Sequence, residues 1–173
     1  MVKNYSLVIC FLISALGAKA QQWQQYFDGA DTASINSIII EIDTTGANVW
    51  QIGPPQKTIF DSAASVPNVL VTDTVNPYPA NNTSSFTFEM VPWMNWGVFA
   101  LQWKQKIDMD SAHDVGTIEY SNDGVNWISV FNDPYVYNFY GFAPGDTGTA
   151  ANGVQGFTGT DSAWTDVWLC FQM

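Results

Sequence analysis

Apolar residues recur through this chain with a period near two and are rich in β-branched and aromatic types, while Gly, Pro, Asn and Asp interrupt them at intervals of about ten residues. A period of two turns successive side chains to opposite faces of an extended strand, and no stretch shows the longer period of an amphipathic helix. The spacing predicts strands at 37–43, 48–52, 69–74, 84–90, 98–107, 116–121, 125–131, 135–140 and 166–171. So many short strands in one domain predict an all-β fold built as a two-sheet antiparallel β-sandwich.

The clearest strand is 98–107, where Phe99, Leu101, Trp103 and Ile107 share one face and Gln102, Lys104 and Lys106 the other. That is the pattern of a strand packed on one side and wet on the other. Residues 116–131 read as a hairpin, with Asn122-Asp123-Gly124 as a turn that needs positive φ. Pro54-Pro55 and the stretch 67–82 cannot be central strand throughout, because proline donates nothing to a ladder. Between 143 and 163 the chain is nearly all Gly, Ala, Thr, Asp and Ser, which reads as a mobile surface loop or as an insertion at one end of the sandwich. No internal repeat of fixed period is present. The run 164–171 has the pattern of a core strand yet lies two residues from the end of the chain, where a strand still needs a neighbour. The domain is therefore expected to be incomplete at that end, as part of a longer protein.

Residues 1–20 read as a signal peptide: Lys3 in a short n-region, an apolar run from Leu7 to Leu16, then Ala18-Lys19-Ala20 with small residues where a signal peptidase cuts. About ten apolar residues fall short of the ~20 that a bilayer span needs, so no membrane span is expected. Val8-Ile9 before Cys10 lacks the small residue of a lipoprotein signal. The remaining domain, 21–173, carries Lys57, Lys104 and Lys106 against sixteen carboxylates, a net charge of −13, with no arginine. Such a surface excludes nucleic acid and anionic lipid as partners, since both require basic groups. Secretion or display at the cell surface is the expected location. Only Cys170 survives processing, so no intrachain disulfide can form, and its apolar surroundings predict a buried, inert thiol.

For metal binding, Asp108, Asp110 and Asp114 crowd a loop between two strands, and closely spaced hard oxygen ligands suit a structural calcium ion. The spacing is not an EF-hand, because Ala112 and His113 stand where that loop needs a ligand and a glycine. The alternative is a solvated acidic turn. Glu41-Ile42-Asp43 matches the first half of the E-x-D-x-x-E strand of concanavalin-like glycoside hydrolases, but Gly46 takes the place of the last carboxylate that paired acid catalysis needs. His113, beside Asp114, cannot readily use it as the orienting acid of a Ser-His-Asp triad. The glycines from Gly145 to Gly159 have no strand-to-helix context for a phosphate loop.

Carbohydrate binding fits the composition better. The chain has eight tryptophans and seven tyrosines. Aromatic faces stack on sugar rings while neighbouring amides and carboxylates read the hydroxyls. Trp93, Trp96, Tyr135 and Tyr137 are the candidate ligand-binding residues, while Trp50, Trp103 and Trp127 are assigned to the interior. Asn81 and Asn82 both begin N-x-[ST] triplets and mark an exposed turn.

A family resemblance rests on Trp50-Gln51-Ile52-Gly53-Pro54-Pro55, Ser62-Ala63-Ala64-Ser65, Val71-Thr72-Asp73, Tyr78-Pro79-Ala80-Asn81, the strand ending at Asp108, and above all Ile118-Glu119-Tyr120-Ser121-Asn122-Asp123-Gly124-Val125-Asn126-Trp127. Together these resemble the jelly-roll accessory domains, related to MAM and concanavalin-like modules, of secreted bacterial proteins such as immune-inhibitor-A-type proteases and Bacteroidetes surface proteins. The resemblance implies a non-catalytic β-sandwich that binds glycan or a cell-surface protein in adhesion, or supports a larger extracellular protein. Val125 departs from the glycine common in that hairpin, and the closing strands are not apparent. A concanavalin-like glycoside hydrolase is the alternative.

Overall fold

The computed structural model describes residues 24–27, 38–44, 46–90, 98–111, 113–134, 136–140, 147–149 and 153–172. The export segment expected at 1–20 lies outside them. Every regular element described is a strand: β1 (Ile38–Ile42), β2 (Trp50–Gly53), β3 (Val69–Thr72), β4 (Phe86–Met90), β5 (Val98–Asp108), β6 (Glu119–Tyr120), β7 (Ile128–Ser129), β8 (Val136–Tyr140), β9 (Thr147–Thr149), β10 (Gln155–Phe157) and β11 (Thr160–Gln172). No helix among the described residues is long and apolar enough to cross a membrane. The all-β class predicted from the alternation is what the described residues adopt.

All the strand pairings are antiparallel. β1 pairs with β4, β2 with β3, β6 with β7 and β9 with β10, while β5, β11 and β8 form a three-stranded sheet in that order. The two long strands of this last sheet dominate the packing. Val167 lies opposite Trp103 and Leu169 opposite Leu101, which puts these two apolar residues of β5 on the same side as the alternate residues of β11. Val167 and Leu169 are fully buried, and removing each from water contributes roughly 1.5–3 kcal/mol. Ile107, Phe157 and Val167 make one cluster, Val130 and Leu169 a second, and Trp103, Ile118 and Phe131 pack against both.

The β1–β4 ladder has its own anchor. Ile40, opposite Phe88, is almost completely buried. Phe86 on β4 meets the Trp50 ring edge-on at 4.6 Å, and the Trp50 indole N–H donates to the Ser84 carbonyl, which ties β2 to the start of β4. Among the tryptophans assigned to the interior, Trp50 and Trp103 are half-buried, but Trp127 is 46 % exposed. Trp127 comes just before the two-residue ladder of β6 and β7, too short to cover it.

Two further expectations change. Residues 143–163 include β9, β10 and the start of β11, so that stretch is in part paired backbone. Gly156 allows this, because a Cβ there would lie 2.3 Å from the Gly116 carbonyl oxygen, across the bridge between Gly116 and Phe157. The strand predicted at 166–171 begins at Thr160 and lies between β5 and β8, so it has neighbours on both sides.

Lys106 also departs from the wet-face pattern of β5. Its side chain is only 7 % exposed, and its ammonium donates to the Ile59 carbonyl (2.9 Å) and to Asp61 (3.0 Å). The register between β11 and β5 shifts between Asp161 and Thr165, directly opposite this lysine. The bulge is held by Asp161, whose carboxylate accepts from the Ala163 N–H (3.0 Å) and the Thr165 hydroxyl. It brings the Trp164 ring to 5.5 Å from the Lys106 nitrogen. The loop carrying Ile59 and Asp61 thus closes over one end of β5.

Candidate functional site

The outer face of the β5–β11–β8 sheet combines an exposed aromatic ring with polar groups in register. With Val167 and Leu169 turned inward, alternation turns Asp166 and Trp168 outward, opposite Lys104 and Gln102. Trp168 is 38 % exposed, and Gln102, Lys104, Asp166 and Ala100 are exposed with it. The Lys104 ammonium lies 2.7 Å from an Asp166 oxygen. Ala100 adds only a methyl group to that face, and Cys170 opposite it, though on the same face by alternation, is buried. The result is an indole flanked by an amide and an ion pair, on strands whose opposite face is anchored in the core. Sheet pairing on both sides of β11 holds the backbone of Trp168 in place, so a ligand binding there would not have to order a loop.

The aromatic residues that the sequence favours for ligand stacking lie elsewhere. Trp93, Trp96 and Tyr135 lie outside the described residues. The backbone of Tyr137 belongs to β8 and lies opposite Cys170, in the same sheet as Trp168. The signal for Trp168 was present in the alternation of Asp166-Val167-Trp168-Leu169, which puts an acidic residue and the indole on one face. Cys170 is buried and free, as its apolar surroundings predict.

Each of the three aspartates considered for calcium has a hydrogen-bond partner of its own. Asp114 accepts from the Tyr78 hydroxyl (2.5 Å) and from the Asp110 backbone N–H (3.3 Å). Asp110 is 3.0 Å from His113 Nδ1, and Asp108 accepts from the Thr160 hydroxyl at 3.4 Å. Burial and the Asp114 carboxylate push the Tyr78 phenol up to about 12. The hydrogen bond that His113 Nδ1 makes to the Asp110 carboxylate, which favours the protonated ring, raises the pKa of His113. Among the described residues no group of three or more acidic, histidine or cysteine side chains converges as a metal site. In the glycosidase-like segment, Glu41 lies opposite Thr87 with its side chain exposed, and Gly46 takes a φ of 75°.

Of the hairpin predicted at 116–131 a two-residue ladder is formed, with Glu119 opposite Ser129, Tyr120 opposite Ile128 and Gly124 at φ 71°, while 125–127 are not strand and Gly116 bridges to Phe157 instead. Its loop is organised by side chains. Asp123 accepts from the N–H groups of Val125 (2.8 Å) and Asn126 (2.7 Å) and from the Asn126 side-chain amide, while Ser121 accepts from the Gly124 N–H. The Asn126 backbone and side-chain donors, followed by that of Val125, hold the Asp123 carboxyl far below the usual carboxylate range. Asp73 repeats the carboxylate hydrogen bonds with Val75 and Asn76, although the positive φ falls on Asp73 itself there and on Gly124 here. Beyond Asp123, Val125, Trp127 and Ile128 are all exposed, a second apolar surface on a shorter ladder.

Comparison of the chain with protein-family models, with curated proteins and with solved structures returns no match in any of the three.

Proposed function

We propose that this chain is an exported, non-catalytic β-sandwich module of jelly-roll type that binds glycan through the outer face of the β5–β11–β8 sheet. The observation that carries the reading is the register of β11 on β5, which puts exposed Trp168 opposite Gln102 and beside the Asp166–Lys104 pair. A sugar ring presents C–H groups on its faces and hydroxyls around its rim. An indole face takes the first by stacking, and a flanking amide and charged pair take the second by hydrogen bonding. The module type follows the resemblance of the 118–127 hairpin, and export follows the reading of 1–20.

Affinity electrophoresis through gels containing soluble β-glucan, xylan or mannan tests the proposal. The wild type is expected to be retarded by at least one polymer, and Trp168→Ala to migrate freely. Retardation lost in Trp96→Ala but kept in Trp168→Ala would move the site to the segment favoured by sequence alone. Migration unaffected by every polymer would leave adhesion to a protein, or support of a larger protein, as the role.

A further inference from the structure

We propose that the Lys104–Asp166 pair makes this face selective for uncharged polysaccharide over polyanions such as polyuronates, an inference that rests on the glycan-binding reading above. The electrostatic setting follows from where the lysines are used. Of the three lysines beyond residue 20, Lys57 donates to the Thr72 carbonyl at 2.7 Å and Lys106 is buried against Ile59 and Asp61. The third, Lys104, is the one on the candidate face, and Asp166 sits 2.7 Å from it. A uronate approaching Trp168 therefore meets a cation that already has its counter-charge, next to a carboxylate that repels it. The excess of sixteen carboxylates over these lysines adds a negative field from farther away. Salt screens that distant field beyond a Debye length of about 8 Å, so discrimination at physiological ionic strength falls to the local pair.

A neutral sugar escapes this penalty and can use the same groups. The ammonium has three N–H donors and its contact with Asp166 uses one, while the carboxylate has two oxygens and the contact engages one. A hydroxyl bridging the pair could donate to the carboxylate and accept from the ammonium, and the Gln102 amide both donates and accepts. The pair thus serves as a hydroxyl reader that rejects acidic substituents.

The test compares wild type, Asp166→Asn, Lys104→Gln/Asp166→Asn and Trp168→Ala by calorimetric titration with soluble β-glucan, xylan, mannan and polygalacturonate, at low and at physiological salt. The pair is exposed and contributes about 0–1 kcal/mol to folding, so these variants should stay folded. Wild type is expected to bind a neutral polymer and not polygalacturonate. Asp166→Asn should gain polygalacturonate binding by about tenfold or more, with the gain shrinking as salt rises and disappearing in the double variant. Wild type binding polygalacturonate as tightly as the neutral polymer, with both lost in Trp168→Ala, would overturn the selectivity and leave the glycan face standing. Wild type binding neither kind of polymer would overturn the glycan face, and the selectivity with it.

Discussion

The Lys106 ammonium lies 5.5 Å from the centre of the Trp164 ring, placed there by a β-bulge on the neighbouring strand and capped from the other side by the Ile59 carbonyl and Asp61. The indole N–H of Trp164 is buried with no hydrogen-bond partner among the described residues, and the ammonium sits over the face of its ring. The cluster fastens the irregular loop around 59–61 to β5.

Two lysines on one strand should therefore differ sharply in what they contribute to stability. Lys106→Ala leaves a carbonyl without its donor and empties a covered site, and is expected to cost about 1–3 kcal/mol. Lys104→Ala removes an exposed pair worth about 0–1 kcal/mol. Urea midpoints of the two variants check this, and equal losses would contradict the burial contrast.

A glycine in β10 is set by contact with a neighbouring segment. A Cβ at Gly156 would lie 2.3 Å from the Gly116 carbonyl oxygen and 2.5 Å from a Val115 methyl. Gly116 and Phe157 exchange two backbone hydrogen bonds at 2.9 and 2.8 Å across this approach. Gly156→Ala should force the segments apart and cost roughly 1–3 kcal/mol. A melting temperature equal to that of wild type would show that the approach is not needed.

The turn at Asp123 should be resistant to acid. Its carboxyl is held far below the ordinary value of 3.8 by the Asn126 and Val125 donors. A depressed folded-state pKa stabilises the turn above the unfolded value, and that stabilisation is lost only as pH falls from about 3.8 through the folded value. Carboxyl carbon shifts followed by NMR should show Asp123 titrating below the other aspartates. Asn126→Ala should move it upward, and a midpoint near 3.8 in the wild type would contradict the loop geometry.

Tyr78 gives the opposite dependence. Its phenol is pushed up to about 12 by burial and by Asp114, so the contact stabilises the fold below the ordinary value of 10.0 and is lost as pH rises through the folded value. Ultraviolet titration should show a tyrosine ionising near 12, and Asp114→Asn should lower that transition. All tyrosines ionising near 10 would show that this contact does not form in solution.

Much of the sheet was legible in the sequence because β5 alternates, apart from Gln105 on its apolar face, and Asp166 to Leu169 on β11 alternate with it. Lys106 was not legible, because its burial comes from a loop more than forty positions earlier folding over the wet face. β9 and β10 were hidden for a related reason. Their residues are small and polar, and β10 is set partly by the close approach of Gly156 to Gly116, which no local pattern announces. The positive φ at Gly124 was predictable from its turn residues. The exposure of Trp127 depended on how short the ladder behind it turned out to be. Trp168 stands in the sequence as one more residue of an apolar run, although Asp166 marks the outward face two positions before it.

The most direct test of the glycan-binding face is an NMR titration that follows the eight indole Nε1–H signals while a neutral oligosaccharide is added. Binding at this face predicts that the Trp168 signal shifts progressively and saturably, with the other tryptophans little changed. Shifts confined to Trp93 and Trp96, or no shift in any indole signal, would contradict it.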